Sequence, residues 1–428
     1  MISVDDIKAV IKDQESRVDV LLREEKIIGR ELIINPKTIS YGAASIITGP
    51  RRSGKSILAH QLASKEGFGY INFDDERLDI DATELNKVLE ALYSLKGNVK
   101  LIVFDEIQEV SGWEKFASRL VASKRLLITG SNSRMMSKEL STYMTGRHID
   151  YELLPFSFRE FLDYRNFKRN NQNAYTTEEK SRLISLLKEY MDSGGFPLAM
   201  KTGTNYLLDL YKDLIQRDIV QRHRIKMASK LSEVARYLVS NSSSEITYAR
   251  LRKTFGISSK HTIQDWISYM EQAYLLFEVE RFSFKLKEAI IAPKKIYSID
   301  TGFVTSLSFE KNTGRLIETL VAIELKRRNS YLWKGRKQVN YWKSHSQKEA
   351  DFVVREDNKV VEIIQVTYAS KETDIKDREI DGIVMASHEL RCKNLVIITW
   401  DYEGKIKNCG KTVRMVPLWK WLLNYGAL

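Results

Sequence analysis

Short apolar runs separated by amphipathic stretches organise the chain between about residues 44 and 154. The runs fall at 45–48, 70–73, 101–104, 126–129 and 151–154, and helical spacing recurs between them at 57–65, 84–95 and 113–123. Strands apolar on both faces that alternate with helices predict a parallel sheet covered on both sides. Before this block, Ile7, Val10, Ile11, Val18, Leu21 and Leu22 recur among charged residues, which predicts a surface helix. After it, a helical region begins at Pro155 and reaches a polar run at 170–179. Helices dominate 180–224, broken by Ser193-Gly-Gly-Phe-Pro197.

Residues 228–282 read as a separate unit. Leu231, Val234, Ala235 and Leu238 mark one amphipathic helix, 246–248 a short strand, 249–255 a second helix, Gly256 a turn and 262–273 a third helix. The alternating tail 274–282 fits a wing strand, so the unit predicts a winged helix. From 293 to 428 helix and strand alternate again. The expected fold is α/β: a parallel N-terminal sheet with helices on both faces, a middle winged helix and a C-terminal α/β domain. The expected divisions are 1–165, 166–227, 228–285 and 286–428, since 428 residues exceed one ordinary core.

Chemistry enters at the end of the first strand. Gly49-Pro-Arg-Arg-Ser-Gly-Lys-Ser56 fits G-x-x-x-x-G-K-[ST], with a strand before and a helix after. The expected nucleotide-binding residues are Gly49, Pro50, Arg51, Arg52, Ser53, Gly54, Lys55, Ser56 and Ile57. Glycines let backbone N–H groups curl around phosphate oxygens, and the following helix adds its positive end. Lys55 would reach the β- and γ-phosphates, and the Ser56 hydroxyl would ligate Mg²⁺. The run 101–104 ends in Asp105 and Glu106. Asp105 is expected to support the metal, and Glu106 to polarise the attacking water. The strand at 125–129 ends in Gly130-Ser-Asn-Ser133, where Ser131 and Asn132 are candidates to sense the γ-phosphate; the same residues also suit a cap for a helix at 134–140. ATP and Mg²⁺ are the expected cofactors.

The net charge of +12 suits a polyanion, and equally a lysine-rich solvated surface. In the middle unit Arg250, Arg252, Lys253, Lys260 and His261 are the candidates to contact DNA, and an interdomain brace is the competing reading. Two cysteines, Cys392 and Cys409, make no disulfide framework and have no metal-ligand spacing. With no run of about 18 apolar residues and no signal-like start, the expectation is a soluble cytoplasmic protein without a membrane partner.

The chain resembles the archaeal and bacterial family of AAA+ -type P-loop ATPases with a C-terminal restriction-endonuclease-like domain. The residues that carry the resemblance are Ile46-Ile-Thr-Gly-Pro-Arg-Arg-Ser-Gly-Lys-Ser56, Ile102-Val-Phe-Asp-Glu-Ile-Gln108, Leu127-Ile-Thr-Gly-Ser-Asn-Ser133, Thr145-Gly-Arg147 and Leu153-Leu-Pro-Phe-Ser-Phe-Arg-Glu-Phe161. Gly194-Gly-Phe-Pro197, Lys295-Ile-Tyr-Ser-Ile-Asp-Thr-Gly302 and Glu318-Thr-Leu-Val321 extend it over nearly the whole length. The resemblance implies an arginine finger at Arg147, acting on a second copy in a homo-oligomer; a local pair with Asp150 is the alternative. It also implies a nuclease-like site at Glu318 and Asp351, from which the chain departs: Gln365 stands at the acid position and Thr367 at the lysine position. With no lysine on that strand, a degenerate site retained for binding is expected. Interleaved basic and aromatic residues, Arg327, Arg328, Lys334, Arg336, Lys337, Lys343 and Lys348 with Tyr331, Trp333, Tyr341 and Trp342, suit nucleic-acid contact and a hairpin with inward aromatics, readings that are compatible because alternation puts the two sets on different faces. The functional expectation is an Mg²⁺-dependent ATPase acting on or with DNA. A slow nucleotide switch in defence or regulation, or an ATP-gated metal-dependent nuclease, are the alternatives.

Overall fold

A computed structural model describes residues 2–64, 67–132, 143–169 and 175–424. The helix expected at 134–140, Ser133 and most of the start of the polar run, 170–174, lie outside the described residues. The chain divides into two compact units, one of residues 1–155 with 272–274, the other of 156–271 with 275–428.

The first unit is built on five parallel strands: β1 (Ala44–Thr48), β2 (Phe68–Asn72), β3 (Leu101–Asp105), β4 (Arg125–Gly130) and β5 (His148–Glu152), in the order β2-β3-β4-β1-β5. β1 and β3 are buried along their whole length, as their unbroken apolar runs require. The fifth strand begins three residues earlier than the apolar run at 151–154 suggests. His148 pairs with Ala44 and Glu152 with Thr48, so backbone register outweighs apolarity at this sheet edge. Helix α1 (Val4–Glu24) starts with a reciprocal Ser3–Asp6 capping box. It buries Ile7, Val10 and Ile11 and leaves Val20 and Leu21 exposed. The Gln14 carboxamide pairs with both backbone groups of Asn72 on the edge strand, Nε2 to the carbonyl at 2.9 Å and Oε1 from the N–H at 2.8 Å. Helices α2 (Lys55–Ala63), α3 (Leu85–Lys96) and α4 (Trp113–Leu120) complete the layers. Leu85, Val88, Ala91 and Leu92 on α3 and Trp113, Phe116 and Leu120 on α4 join Ile102, Phe104 and Ile128 in one core.

The second unit contains two sheets. Helices α5 (Ala228–Ser240), α6 (Tyr248–Thr254) and α7 (Lys260–Gln272) accompany a three-stranded antiparallel sheet of β6 (Ser244–Ile246), β7 (Leu276–Val279) and β8 (Lys294–Ser298), ordered β6-β8-β7. The alternating tail at 274–282 is thus a four-residue strand, and its antiparallel partner β8 comes from further along the chain. Trp266 is buried core of α7, not a stacking surface. The other sheet is six-stranded and mixed, ordered β13-β14-β12-β11-β10-β9, from β9 (Lys337–Lys343), β10 (Glu349–Glu356), β11 (Lys359–Val366), β12 (Leu395–Thr399), β13 (Gly404–Asn408) and β14 (Lys411–Pro417). The long helix α8 (Thr313–Tyr331) is buried on every face along its middle, and Arg327 and Arg328 are buried too at 1% exposure, which removes both from the basic surface expected there. Tyr341 and Trp342 are buried too, so the inward-aromatic reading of that segment holds.

One contact explains two family-like motifs. Asp300 accepts hydrogen bonds from the N–H groups of Gly195 (2.7 Å) and Gly302 (2.9 Å). Gly194 has φ +72°, and a Cβ there would lie 1.8 Å from Asp300 Oδ1, so only glycine fits. Among the described residues no helix is long and apolar enough to cross a membrane.

Candidate functional site

In a sheet ordered β3-β4-β1, the carboxyl ends of three parallel strands lie side by side, and a loop leaving β1 meets residues leaving β3 and β4. The loop from Gly49 to Gly54 needs glycine at both ends. Gly49 has φ +151° and a Cβ there would lie 2.1 Å from the Leu153 carbonyl; Gly54 has φ +96°. Between them Ser53 and Pro50 are buried and Arg52 is exposed with φ +66°. Arg51 pairs with Asp74 at 2.5 Å. Ser56 and Ile57, half-buried, open α2.

Lys55 is 3% exposed. Its ammonium donates to the Gly49 (3.2 Å) and Pro50 (3.0 Å) carbonyls and lies 3.3 Å from Glu106 Oε1. The phosphate loop and the β3 carboxylates therefore meet. Asp105 is fully buried and heavily donated to: Thr129 Oγ1 on Oδ1, Tyr70 OH (2.8 Å) and Asn72 Nδ2 (3.1 Å) on Oδ2, and the Ser56 hydroxyl. Burial, then the neighbouring Glu106 charge, pushes its pKa up against those hydrogen bonds. Glu106 differs. Burial alone would raise its pKa, but the Lys55 ammonium and the Gln108 amide overcome that and hold it below the ordinary value. Glu106 Oε2 accepts from Gln108 Nε2 at 2.6 Å and from the Ser131 N–H at 3.2 Å.

A glutamate ionised near neutral pH and poised beside a phosphate loop can polarise water, and a buried lysine can neutralise phosphate charge. Ser56 and Asp105 present adjacent hard oxygen donors, a set that suits Mg²⁺. Ser131 joins the site through its N–H on Glu106 and its hydroxyl, which accepts from Gln108 Nε2 at 3.4 Å, and Asn132 is fully buried. Arg147 is not brought there. It is exposed, and its carbonyl accepts from the N–H of Ala44, at the amino end of β1, about 16 Å of strand away from Gly49. Among the described residues Arg147 makes no ion pair, and Asp150 faces His148 instead, at 3.5 Å.

Sequence reasoning missed Thr129, Tyr70, Asn72, Gln108 and Arg30. Thr129 and Gln108 lie inside the quoted motifs. Arg30, which donates to the carbonyls of Ser53 (2.7 Å) and Leu154 (2.5 Å), had no local signal because its partners are remote in sequence.

In the second unit Arg250, Arg252, Lys253, Lys260 and His261 are all exposed, and among the described residues none makes an ion pair. Glu318, Asp351 and Gln365 come together. Thr367, just past β11, hydrogen-bonds Glu379 instead. An ammonium from β8 joins them: Lys295 Nζ lies 2.8 Å from Glu318 Oε1 and 2.9 Å from Asp351 Oδ1. No pattern along the sequence connects Lys295 to the other three.

Residues 42–162 match an AAA domain, 184–313 the domain of unknown function DUF8612 and 313–421 the domain of unknown function DUF4143. The chain is 37% identical over 429 residues to the uncharacterized protein MJ1544 of Methanocaldococcus jannaschii, covering 95% of this chain and 93% of that protein. It is 26% identical over 401 residues to an uncharacterized protein of Haemophilus influenzae, covering 88% and 94%. Among solved structures, replication initiator DnaA bound to AMPPCP and single-stranded DNA aligns at 17% identity over 54% of this chain and 83% of that chain, with a TM-score of 0.24. Cdc6p from Pyrobaculum aerophilum aligns at 12% over 73% and 94%, with a TM-score of 0.25. Likeness at those TM-scores carries nothing further.

Proposed function

The chain belongs to the family of AAA-domain proteins that includes MJ1544 of Methanocaldococcus jannaschii, and from that premise we propose that it is an Mg²⁺-dependent ATPase that works on or with DNA. One observation carries the reading: Lys55 of the phosphate loop lies 3.3 Å from the Glu106 carboxylate at the end of β3. Backbone N–H groups of 49–54 bind phosphate, and Lys55 leaves its carbonyl acceptors to neutralise the terminal phosphates. Ser56 and Asp105 hold Mg²⁺, which when bound supplies charge neutralisation on the phosphate oxygens. Glu106 orients and polarises the attacking water, and Gln108 with the Ser131 N–H holds the carboxylate in place.

Arg147, remote from its own chain's site, acts in this reading on a second copy, so that turnover requires assembly. The four divisions expected from sequence stand as the domain proposal. The unit of α5–α7 with β6–β8 is read as a winged helix whose exposed Arg250, Arg252, Lys253, Lys260 and His261 meet DNA phosphates. The C-terminal sheet is read as a nuclease-like fold kept for binding. The test is ATP hydrolysis by the purified chain with Mg²⁺, with and without single- and double-stranded DNA at several salt concentrations. DNA-stimulated turnover supports the reading; no affinity for ATP sinks it, and turnover indifferent to nucleic acid removes DNA from it.

A second reading, slow nucleotide-dependent switching, is favoured by the ties that Glu106 already has. Lys55, Gln108 and the Ser131 N–H all engage its carboxylate, so both Lys55 and Glu106 must be released before turnover. One retained nucleotide per chain with negligible multiple turnover supports that reading.

A further inference from the structure

The second unit holds a buried charged cluster that the ATPase reading does not use. Lys295 and Tyr297 alternate on β8 and so face one side, toward Glu318 on α8. Glu318 Oε1 accepts from both, at 2.8 Å from Lys295 Nζ and 2.8 Å from the Tyr297 hydroxyl. Asp351 on β10 is equally occupied. Its Oδ1 takes the Lys295 ammonium at 2.9 Å, and its Oδ2 takes Gln365 Nε2 at 2.7 Å and the Val366 N–H at 3.0 Å. Lys295, Tyr297, Asp351 and Gln365 are each buried.

Such an arrangement has the parts of a divalent-cation site, two carboxylates and an amide, with an ammonium already seated among them. We propose that Lys295 is the resident cation of this cluster: its ammonium holds the place between Glu318 and Asp351 that a divalent metal ion would need, and so keeps the site closed to metal. Three features favour this over an open metal site. Gln365 donates its amide nitrogen to Asp351 Oδ2 while its oxygen is taken up by the Asp351 N–H at 3.3 Å, so the amide is set for a carboxylate and not for a cation. Both Asp351 oxygens are spent on donors. Among the described residues no group of three or more His, Cys, Asp and Glu is arranged to hold a metal.

The consequence is functional. The second unit cannot run metal-dependent phosphodiester hydrolysis from this cluster while Lys295 remains. Instead the cluster ties β8 to α8, β10 and β11 by charge-assisted hydrogen bonds.

Mn²⁺ titration, read by the electron paramagnetic resonance of free Mn²⁺ without nucleotide, tests the proposal. The wild type and Glu318→Gln are expected to bind the same number of Mn²⁺ ions, all elsewhere on the chain. Lys295→Ala and Lys295→Met are expected to gain one further site per chain, bound about tenfold or more tighter than anything the wild type offers at this cluster, and lost again when Asp351→Asn is added. A wild-type Mn²⁺ site that Glu318→Gln abolishes overturns the proposal, and so does a folded Lys295 variant that gains no site. Should neither Lys295 variant fold, the wild type against Glu318→Gln decides: equal binding supports a resident ammonium and unequal binding refutes it.

Discussion

Replacing Glu106 by glutamine removes one charge and almost no volume. The attraction it removes is large before solvation: opposite charges 3.3 Å apart attract by about 5 kcal/mol at an effective dielectric of ~20. Most of that is offset, because burying either charge is itself costly. Lys55 also keeps its Gly49 and Pro50 acceptors, and the variant's amide oxygen still accepts from Gln108 and Ser131. The variant should therefore fold, with a stability loss of about 1–2 kcal/mol at most. It should bind ATP about as well as the wild type, since the phosphate-binding groups are untouched. Turnover should fall about 100- to 10,000-fold, the usual contribution of a positioned base. The assay pairs steady-state phosphate release with equilibrium binding of a fluorescent ATP analogue. A folded, ATP-saturated Glu106→Gln chain that hydrolyses within about tenfold of the wild type would refute the role given to this carboxylate.

Gly194→Ala places a Cβ 1.8 Å from Asp300 Oδ1 at a backbone φ of +72°, and should destabilise the chain by more than about 2 kcal/mol in chemical denaturation; a neutral effect would mean that the Gly195–Asp300–Gly302 contacts are not formed. Burial pushes the Glu362 carboxyl up to about 7, with Arg328 and Arg414 opposing. A raised acid is favoured protonated in the folded state, so its contribution is fully present below about pH 4.5 and is lost as pH rises through 7. Glu362→Gln should remove that loss and gain up to about 3 kcal/mol relative to the wild type between pH 4.5 and 8; parallel pH profiles of the two melting temperatures would refute it. Replacing Arg250, Arg252 and Lys260 together should lower the slope of log DNA affinity against log salt by about 2–3, and an unchanged slope would take these residues off the phosphates.

The first unit was legible because its chemistry is local. A strand, a phosphate loop and a helix are consecutive, and Asp105 and Glu106 end their own apolar run. What the sequence does not carry is the cross-chain partner. Gln14 reaches Asn72 across 58 residues and Lys295 reaches Asp351 across 56, and no periodicity marks either pair. The strand at 148–152 was misplaced for the opposite reason: its first residues are polar because it closes a sheet edge, so apolarity pointed three residues downstream.

Gln14 ties the first helix to the candidate nucleotide site. Its carboxamide occupies both backbone groups of Asn72, so a strand added at this edge would find the last residue of β2 already paired. The same Asn72 sends its side-chain amide to Asp105. Trimming the first two dozen residues to ease purification would therefore bare the backbone of Asn72 and loosen the residue whose side-chain amide holds Asp105.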